Sequence, residues 1–346
     1  MMRSWSPAWR RRRQFRAALG RRPALSAARS ARRLLAWTCL ASLLLATGAA
    51  AQSPPSVPAD SGPFTDQEPI TPIPAPPAAD PLRLALGERL FGDRRLSDGG
   101  QLACSSCHDV QTNGAGDGTG NDAHEPSTHP FNTLTVFNAA LSFRLNWEGN
   151  FRALDTHVES SLQNSVNMRT SVGEVVARLN ADPEMVQQFR DAYGRAPDRT
   201  SFLDALTTFE RSLLTPGARF DRWLGGDTSA LSTEELGGYG LFKSLGCSSC
   251  HQGVNVGGNL FERQGIFRPL VVPKPEIVRV PSLRNVAATA PYFHDGSEPS
   301  LHDAVRKMAA AQLDRTLSDQ QVDSIVAFLR TLTGVYRGRP VAGAAP

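Results

Sequence analysis

The chain has 346 residues, of which 40% are apolar and 20% are charged, and its formal net charge is +4. These proportions fit a soluble globular protein of one or two domains and exclude collagen, a coiled coil and a wholly disordered chain. A basic excess would ordinarily suggest a nucleic acid or an anionic membrane as partner.

The basic excess is confined to residues 1–51, which contain eleven arginines and no lysine, aspartate or glutamate. The segment ends in an apolar run from Leu34 and small residues up to Ala51. This pattern is typical of a secretory signal peptide, with an uncleaved membrane anchor as the alternative. Removing it leaves 26 basic and 33 acidic residues, a net charge of −7, so nucleic acid loses its support as a partner. We therefore expect a periplasmic protein with no membrane span after cleavage.

Both ends of the remaining chain look unstructured. Residues 52–81 contain ten prolines and few large apolar groups. The composition predicts an extended, solvated tether over 52–79, with folding beginning near Asp80. A flexible tail is predicted over 337–346.

The body of the chain predicts helices and almost no strands. Apolar residues recur at helical spacing from Leu82 to Phe91 and from Phe202 to Leu213. Capping-box patterns mark three further helix starts, at Ser171, Ser300 and Ser318. Long loops rich in Gly, Asn and Pro cover 109–133 and 251–281, and loops of this length are usually functional. The fold class is therefore mainly α with long loops.

An internal repeat divides the helical body. Residues 87–91 (GERLF) precede the sequence CSSCH at 104–108, and residues 238–242 (GYGLF) precede a second CSSCH at 247–251. The repeat predicts two related domains with a boundary near 222–230. We place them at 80–225 and 226–336.

The two C-x-x-C-H pentads contain all four cysteines that follow the signal segment. This pentad is the attachment signature of c-type haem, in which two thioethers hold the macrocycle and the adjacent histidine binds the iron. A thioredoxin-like redox pair and a shared four-cysteine zinc site are the alternatives. We expect two covalent haems, with His108 and His251 as iron ligands. The cysteines that attach them are Cys104, Cys107, Cys247 and Cys250.

With these pentads the sequence resembles the bacterial di-haem cytochrome c peroxidases and their MauG-like relatives, from about residue 80 to 334. Asn132, Thr135 and Asn138 after the first pentad carry the resemblance, together with the runs 209–211, 280–286 and 291–296. It implies two cytochrome-c-like domains, the N-terminal one for peroxide chemistry and the C-terminal one for electron uptake.

The resemblance also implies roles for single residues. Met308 matches the sixth ligand of the second haem, which would raise its potential; the alternative is that it continues the apolar stripe of its helix. For the first haem the matching distal histidine is His124, with His129 as the runner-up. Trp147 matches a tryptophan placed between the haems. A calcium site is implied at Asn132 with the backbone oxygens of Thr289 and Pro291, since all-oxygen ligation suits this hard ion.

One position departs from the family pattern. Where the family has a distal glutamate this chain has Asn167, which cannot exchange protons near neutral pH. His157 stands where the family has a glutamine, and its unperturbed pKa near 6.5 would allow proton exchange. We hypothesise that His157, or else the nearby Glu159, compensates for the missing carboxylate.

These expectations give a periplasmic di-haem peroxidase that reduces hydrogen peroxide with electrons from a small cytochrome c or copper protein. Two rivals remain, a MauG-like oxidase acting on a protein partner and a di-haem electron carrier or redox sensor. The family implies a homodimer, while the residues themselves leave the oligomeric state open.

Overall fold

Nine α-helices form within the residues that the computed structural model describes, namely 68–116, 131–271 and 275–343. They are α1 (Pro81–Phe91), α2 (Leu154–Gln163), α3 (Val172–Asn180), α4 (Pro183–Tyr193), α5 (Arg199–Ser212), α6 (Arg219–Leu224), α7 (Thr233–Ser244), α8 (Leu301–Leu313) and α9 (Asp319–Arg330). Two short antiparallel hairpins pair β1 (Phe261–Arg263) with β2 (Ile277–Arg279) and β3 (Val335–Tyr336) with β4 (Arg339–Pro340). The mainly α fold class is confirmed. The predicted signal peptide lies outside the described residues.

The helices begin where side chains can satisfy their free N–H groups. The Ser171 hydroxyl accepts from the Glu174 N–H, and the Glu174 carboxylate accepts from the Ser171 N–H, which completes the predicted capping box of α3. A reciprocal pair at Ser318 starts α9 in the same way. None of the described helices is long and apolar enough to cross a membrane.

The repeated glycines allow two helix pairs to cross closely. A Cβ at Gly87 of α1 would lie 2.1 Å from the Ala205 carbonyl oxygen of α5. A Cβ at Gly238 of α7 would lie 1.9 Å from the Ser324 carbonyl oxygen of α9. The same contact thus recurs in both halves, because only glycine leaves room for the backbones to approach.

Aromatic rings extend the repeat to the partner helices. The Phe91 and Phe209 rings pack edge-on with centroids 5.2 Å apart, and those of Phe242 and Phe328 lie 5.1 Å apart. The repeating unit is therefore a helix, a C-x-x-C-H turn and a later helix that crosses the first.

Two hydrophobic cores follow from this repeat. The first is built mainly by α1 to α5 and the second by α6, α7 and α9. Phe220 and Leu224 of α6 belong to the second core, although the predicted division into 80–225 and 226–336 assigns this helix to the first domain.

A buried polar junction joins the two halves. Asn138 and Asn285 occupy equivalent positions ahead of short 3-10 turns, and both have a positive φ of 60°. Their side-chain amides donate to one hydroxyl, that of Thr215, at 2.8 Å and 3.1 Å. All three residues are at most 1% exposed, so each half supplies one amide to a shared acceptor that excludes water.

The predicted solvated tether over 52–79 is wrong for residues 68–73, which we call the strap. These residues pack on the second core, and Ile70 is 1% exposed. The Gly253 N–H donates to the Pro69 carbonyl at 2.7 Å and holds the strap beside the second pentad. Burial of the strap's two isoleucines removes apolar surface from water. This stabilises the packed position of a segment whose proline content predicts a solvated chain.

The predicted flexible tail over 337–346 is also corrected. The β3–β4 hairpin turns the chain back, and Val341 is buried in the first core. Arg337 pairs with Glu88 of α1 at 2.6 Å. Val341 and the Arg337–Glu88 ion pair therefore attach this segment to the N-terminal half.

Candidate functional site

The two pentads share one local geometry. Each turns through a short 3-10 helix, Cys104–Ser106 or Cys247–Ser249. In each, the histidine N–H donates to the carbonyl of the first cysteine at 3.0 Å. The turn places two thiols and an imidazole on a single short segment, as covalent haem attachment requires.

Both imidazoles are oriented by a backbone carbonyl. His108 Nδ1 lies 3.3 Å from the Gly114 oxygen, and His251 Nδ1 lies 3.2 Å from the Val256 oxygen. An N–H at Nδ1 leaves Nε2 with its lone pair. Burial lowers the pKa of both histidines, that of His251 to about 4, so both rings are neutral at pH 7. Neutral, oriented imidazoles are suited to bind a metal.

One cavity of about 730 Å³ is lined by both pentads. Its walls are largely apolar and come from both halves of the fold. They include Phe91, Leu134, Val158 and Leu206 from the first half and Phe242, Leu283, Leu317 and Leu329 from the second. Each half thus supplies the cavity with paired thiols, an oriented imidazole and apolar walls, which fits two c-type haems.

The environment of the thiols argues against a redox dithiol. Burial, and then the charge of Glu210, raise the pKa of Cys104 to about 12. Burial raises the pKa of Cys247 to about 11. A reactive pair of the thioredoxin type needs a cysteine with a lowered pKa, because the thiolate is the nucleophile.

Met308 lies on α8 and lines the same cavity as Cys247 and His251. Its neighbours on the helix stripe, Leu301 and Val305, pack against the second core, whereas Met308 is not part of that cluster. The thioether is thus placed on the cavity wall of the second half.

Trp147 lies at the junction of the two halves and is 8% exposed. Its indole N–H donates to the Asn132 carbonyl at 2.8 Å, and its own carbonyl accepts from the Arg279 N–H at 2.7 Å. The ring meets the His294 imidazole edge-on at 6.3 Å. Groups from both halves therefore fix the tryptophan on the cavity wall.

Two of the three residues predicted to hold calcium are in contact. The Asn132 side-chain amide donates to the Pro291 carbonyl at 2.7 Å. Thr289 also lines the cavity, and its hydroxyl donates to the Val286 carbonyl at 3.3 Å. Within the described residues no group of three or more His, Cys, Asp or Glu side chains forms a metal site.

His157 lies on the cavity wall of the first half. Its Nε2 is 2.7 Å from Asn146 Oδ1, and the Phe151 ring packs edge-on against it at 5.4 Å. Burial, and then the charge of His108, lower the pKa of His157 to about 4. The imidazole is therefore neutral at pH 7 and can accept a proton on the nitrogen that does not donate.

The other positions expected near the peroxide divide into three cases. Asn167 lines the cavity. Glu159 is absent from the described cavity wall and pairs on the surface with Arg199 at 3.1 Å, so the structure does not support it as a substitute for the glutamate. His124 and His129 lie outside the described residues.

Glu210 lines the cavity, and no motif in the sequence predicts a role for it. It lies on α5, and its buried Oε2 has no hydrogen-bond partner among the described groups. Burial raises its pKa to about 8, so the carboxyl is protonated at pH 7. The internal repeat contains the signal that could reveal it, because Glu210 follows Phe209 as the buried Leu329 follows Phe328. A carboxyl at an otherwise apolar position is a marker of a functional site.

Comparison with known proteins agrees with this geometry. Residues 81–229 match the family model of di-haem cytochrome c peroxidase, and residues 237–333 match that of cytochrome c. The cytochrome c551 peroxidase of Nitrosomonas europaea is 36% identical over 295 residues, covering 80% of this chain and 87% of that protein. The cytochrome c551 peroxidase of Pseudomonas aeruginosa is 36% identical over 287 residues, covering 77% of this chain and 83% of that protein.

A solved structure has the same fold. It is a MauG-like protein associated with microbial copper homeostasis, with a TM-score of 0.64 and 25% identity, and the match covers 78% of this chain and 96% of that one. Two pentads on one cavity, two matching family models and relatives at 36% identity lead to one conclusion. The chain belongs to the di-haem cytochrome c peroxidase family and carries the attachment sites of two c-type haems.

Proposed function

We propose that the protein is a periplasmic peroxidase that reduces hydrogen peroxide to two molecules of water, using two protons and two electrons from a small soluble redox protein. The observation that carries the proposal is the single cavity lined by both C-x-x-C-H pentads, with Trp147 on its wall. The bound haems would supply the redox chemistry.

We assign the two halves different tasks. His251 and Met308 would hold the second iron, which would take up electrons. His108 would hold the first iron together with His124, or His129 as its alternative, and that iron would supply the peroxide chemistry. Trp147 would lie between the two sites.

The groups of the chain that could move protons lie on the first half of the cavity. His157 is neutral and hydrogen-bonded to Asn146, so it could take a proton from peroxide and return it to the departing oxygen. Glu210 is protonated at pH 7 and could act as a proton reserve. Asn167 could donate a hydrogen bond but could not carry a proton.

A calcium ion would bind at Asn132 with the carbonyl oxygens of Thr289 and Pro291. Asn132 and Pro291 already meet at 2.7 Å, and the ion would need the side-chain oxygen of Asn132 in place of its nitrogen. Because Asn132 also accepts from Trp147, such an ion would tie the junction together.

The charge of the chain supports a donor with a basic docking face. Without residues 1–51 the net charge is −7, and each haem adds carboxylates. We propose a cytochrome c or copper protein in the periplasm as donor, and a homodimer as the working assembly. Donor turnover should then fall as salt rises through the range in which the Debye length drops below about 10 Å.

A second function is favoured by one observation, the asparagine at position 167. Without the family carboxylate the protein could be a di-haem carrier or redox sensor. The structural likeness to a MauG-like protein also keeps oxidation of a protein partner as a candidate, although Met308 at the ligand position supports the peroxidase.

The test uses the exported, haem-loaded protein in its oxidised and half-reduced forms, with and without calcium. Rapid peroxide consumption with a reduced cytochrome or copper protein is expected, together with a change of the first iron from six-coordinate to five-coordinate in the electron spin resonance spectrum. A protein that takes up two haems but ignores peroxide in every redox state would be a carrier, and the proposal would fail.

A further inference from the structure

Arg279 is a buried cation without a carboxylate partner among the described residues. It ends β2 and is 5% exposed. Its Nε–H donates to the Asn146 carbonyl at 2.9 Å, while its terminal nitrogens have no hydrogen bond to a described group. A carbonyl dipole alone does not neutralise a full charge.

A second buried arginine shows how a carboxylate of the same chain can neutralise such a cation. Arg284 is 2% exposed and pairs with Asp221 at 2.7 Å. Its other nitrogens donate to the Val254 and Thr71 carbonyls, both at 2.8 Å. Among the residues that the structure describes, Arg284 thus has a counter-ion and Arg279 has none.

Leaving Arg279 unpaired is costly. Burial lowers its pKa to about 10, and no acidic side chain of the described residues opposes this shift. Removal of a charge from water is unfavourable even after relaxation of the surroundings, unless an opposite charge comes close. The guanidinium remains charged at pH 7, and no described residue supplies the anion that would offset its charge.

The position of Arg279 shows where that anion belongs. The residue lines the cavity shared by the pentads, next to Trp147. Its Nη1 lies 3.5 Å from the point that a Cβ on Gly258 would occupy. Gly258 belongs to the loop that follows His251, and its N–H donates to the Val280 carbonyl at 2.8 Å. The guanidinium thus lies on the cavity wall beside the loop that follows the second pentad.

We propose that Arg279 is the binding site for a carboxylate of the second cofactor, a propionate of the haem attached at Cys247 and Cys250. This rests on the proposed function only in requiring that the second haem is bound. The planar guanidinium can offer two parallel N–H donors to a carboxylate, which gives both charge neutralisation and a fixed orientation. Arg279 would also link that haem to Trp147 through its own backbone N–H.

The test is a redox titration of the haem-loaded full chain carrying Arg279→Gln. Loss of the cation should shift the midpoint potential of the second haem downward, because a nearby positive charge favours the reduced iron. Arg279→Lys keeps the charge and should retain most of the potential. Arg268→Gln is the matched control, since Arg268 is 66% exposed and pairs with Asp314 away from the cavity.

Several outcomes would overturn the proposal. They are unchanged potentials in Arg279→Gln at full haem content, a shift confined to the first haem, and a wild-type potential that chloride or sulfate changes while that of Arg279→Gln stays constant, which would assign the site to a free anion. If Arg279→Gln does not fold, resonance Raman spectra of Arg279→Lys and of the wild type are compared instead of the redox titration. Identical propionate bending bands in the two proteins would refute the contact. Haem content and potentials are measured without peroxide, so failure here is distinct from failure of the proposed function.

Discussion

At the scale of single residues, two side chains on the cavity wall bear on how protons are transferred to peroxide. Asn167 stands where an ionisable carboxylate would be useful, and His157 is a neutral imidazole on the same cavity. Each of the two residues can be replaced by an ionisable or a non-ionisable side chain of similar length. Their separate contributions to peroxide turnover are therefore measurable.

Restoring a carboxylate with Asn167→Glu is expected to raise peroxide turnover. General acid–base catalysis contributes on the order of 10²–10⁴-fold, so a gain of roughly tenfold or more is expected at saturating donor. Asn167→Gln has the same length without an ionisable proton and should stay near the wild-type rate. Equal steady-state rates in the Glu and Gln variants would contradict a proton-transfer limit at this position.

His157→Gln gives the complementary measurement. If His157 compensates for the missing carboxylate, its loss should lower the turnover of the wild type but matter little once Asn167→Glu is present. An unchanged rate for His157→Gln alone would exclude the compensating role.

At the scale of secondary-structure elements, local sequence patterns predict where helices begin and which faces they bury. The capping boxes of α3 and α9 and the apolar stripe of α5 follow from local spacing, and the structure has all three. The contacts of the strap and of Arg279 could not be predicted in this way, because both involve residues that are distant in sequence. The Thr71 carbonyl of the strap accepts from Arg284, 213 positions away. Helical periodicity contains no information about such distant pairs.

The repeated glycines allow a test at this scale. Gly87→Ala and Gly238→Ala should each destabilise the protein by about 1–3 kcal/mol or more, because the added methyl would overlap a backbone carbonyl. Gly240→Ala is the control on α7, since nothing lies within 4 Å of its Cβ position. It should instead stabilise the helix by about 0.5–1 kcal/mol. Urea unfolding followed by circular dichroism measures all three, and equal effects at Gly238 and Gly240 would refute the crossing argument.

At the scale of the whole molecule, the two halves meet at a shared hydroxyl. Asn138 and Asn285 present equivalent amides to Thr215. The junction is part of the packed interior, so the halves are coupled through a satisfied polar contact as well as through the cavity that they enclose.

Thr215→Val is expected to weaken this junction. It keeps the shape of the side chain but leaves two buried amides without their acceptor, at a cost of about 2 kcal/mol or more. Thr215→Ser retains the hydroxyl and should lose less. Urea unfolding distinguishes them, and a valine variant as stable as the serine variant would show that the shared hydroxyl contributes little.

The strap has a consequence for how the chain can be divided and completed. Ile70 precedes the first half in sequence but belongs to the core of the second. A fragment starting at residue 226 would therefore lack part of its own interior, however well its pentad and helices are preserved. The Thr71 carbonyl accepts from Arg284, 213 positions later in the chain, so the strap can be fixed in place only after most of the second half has been synthesised.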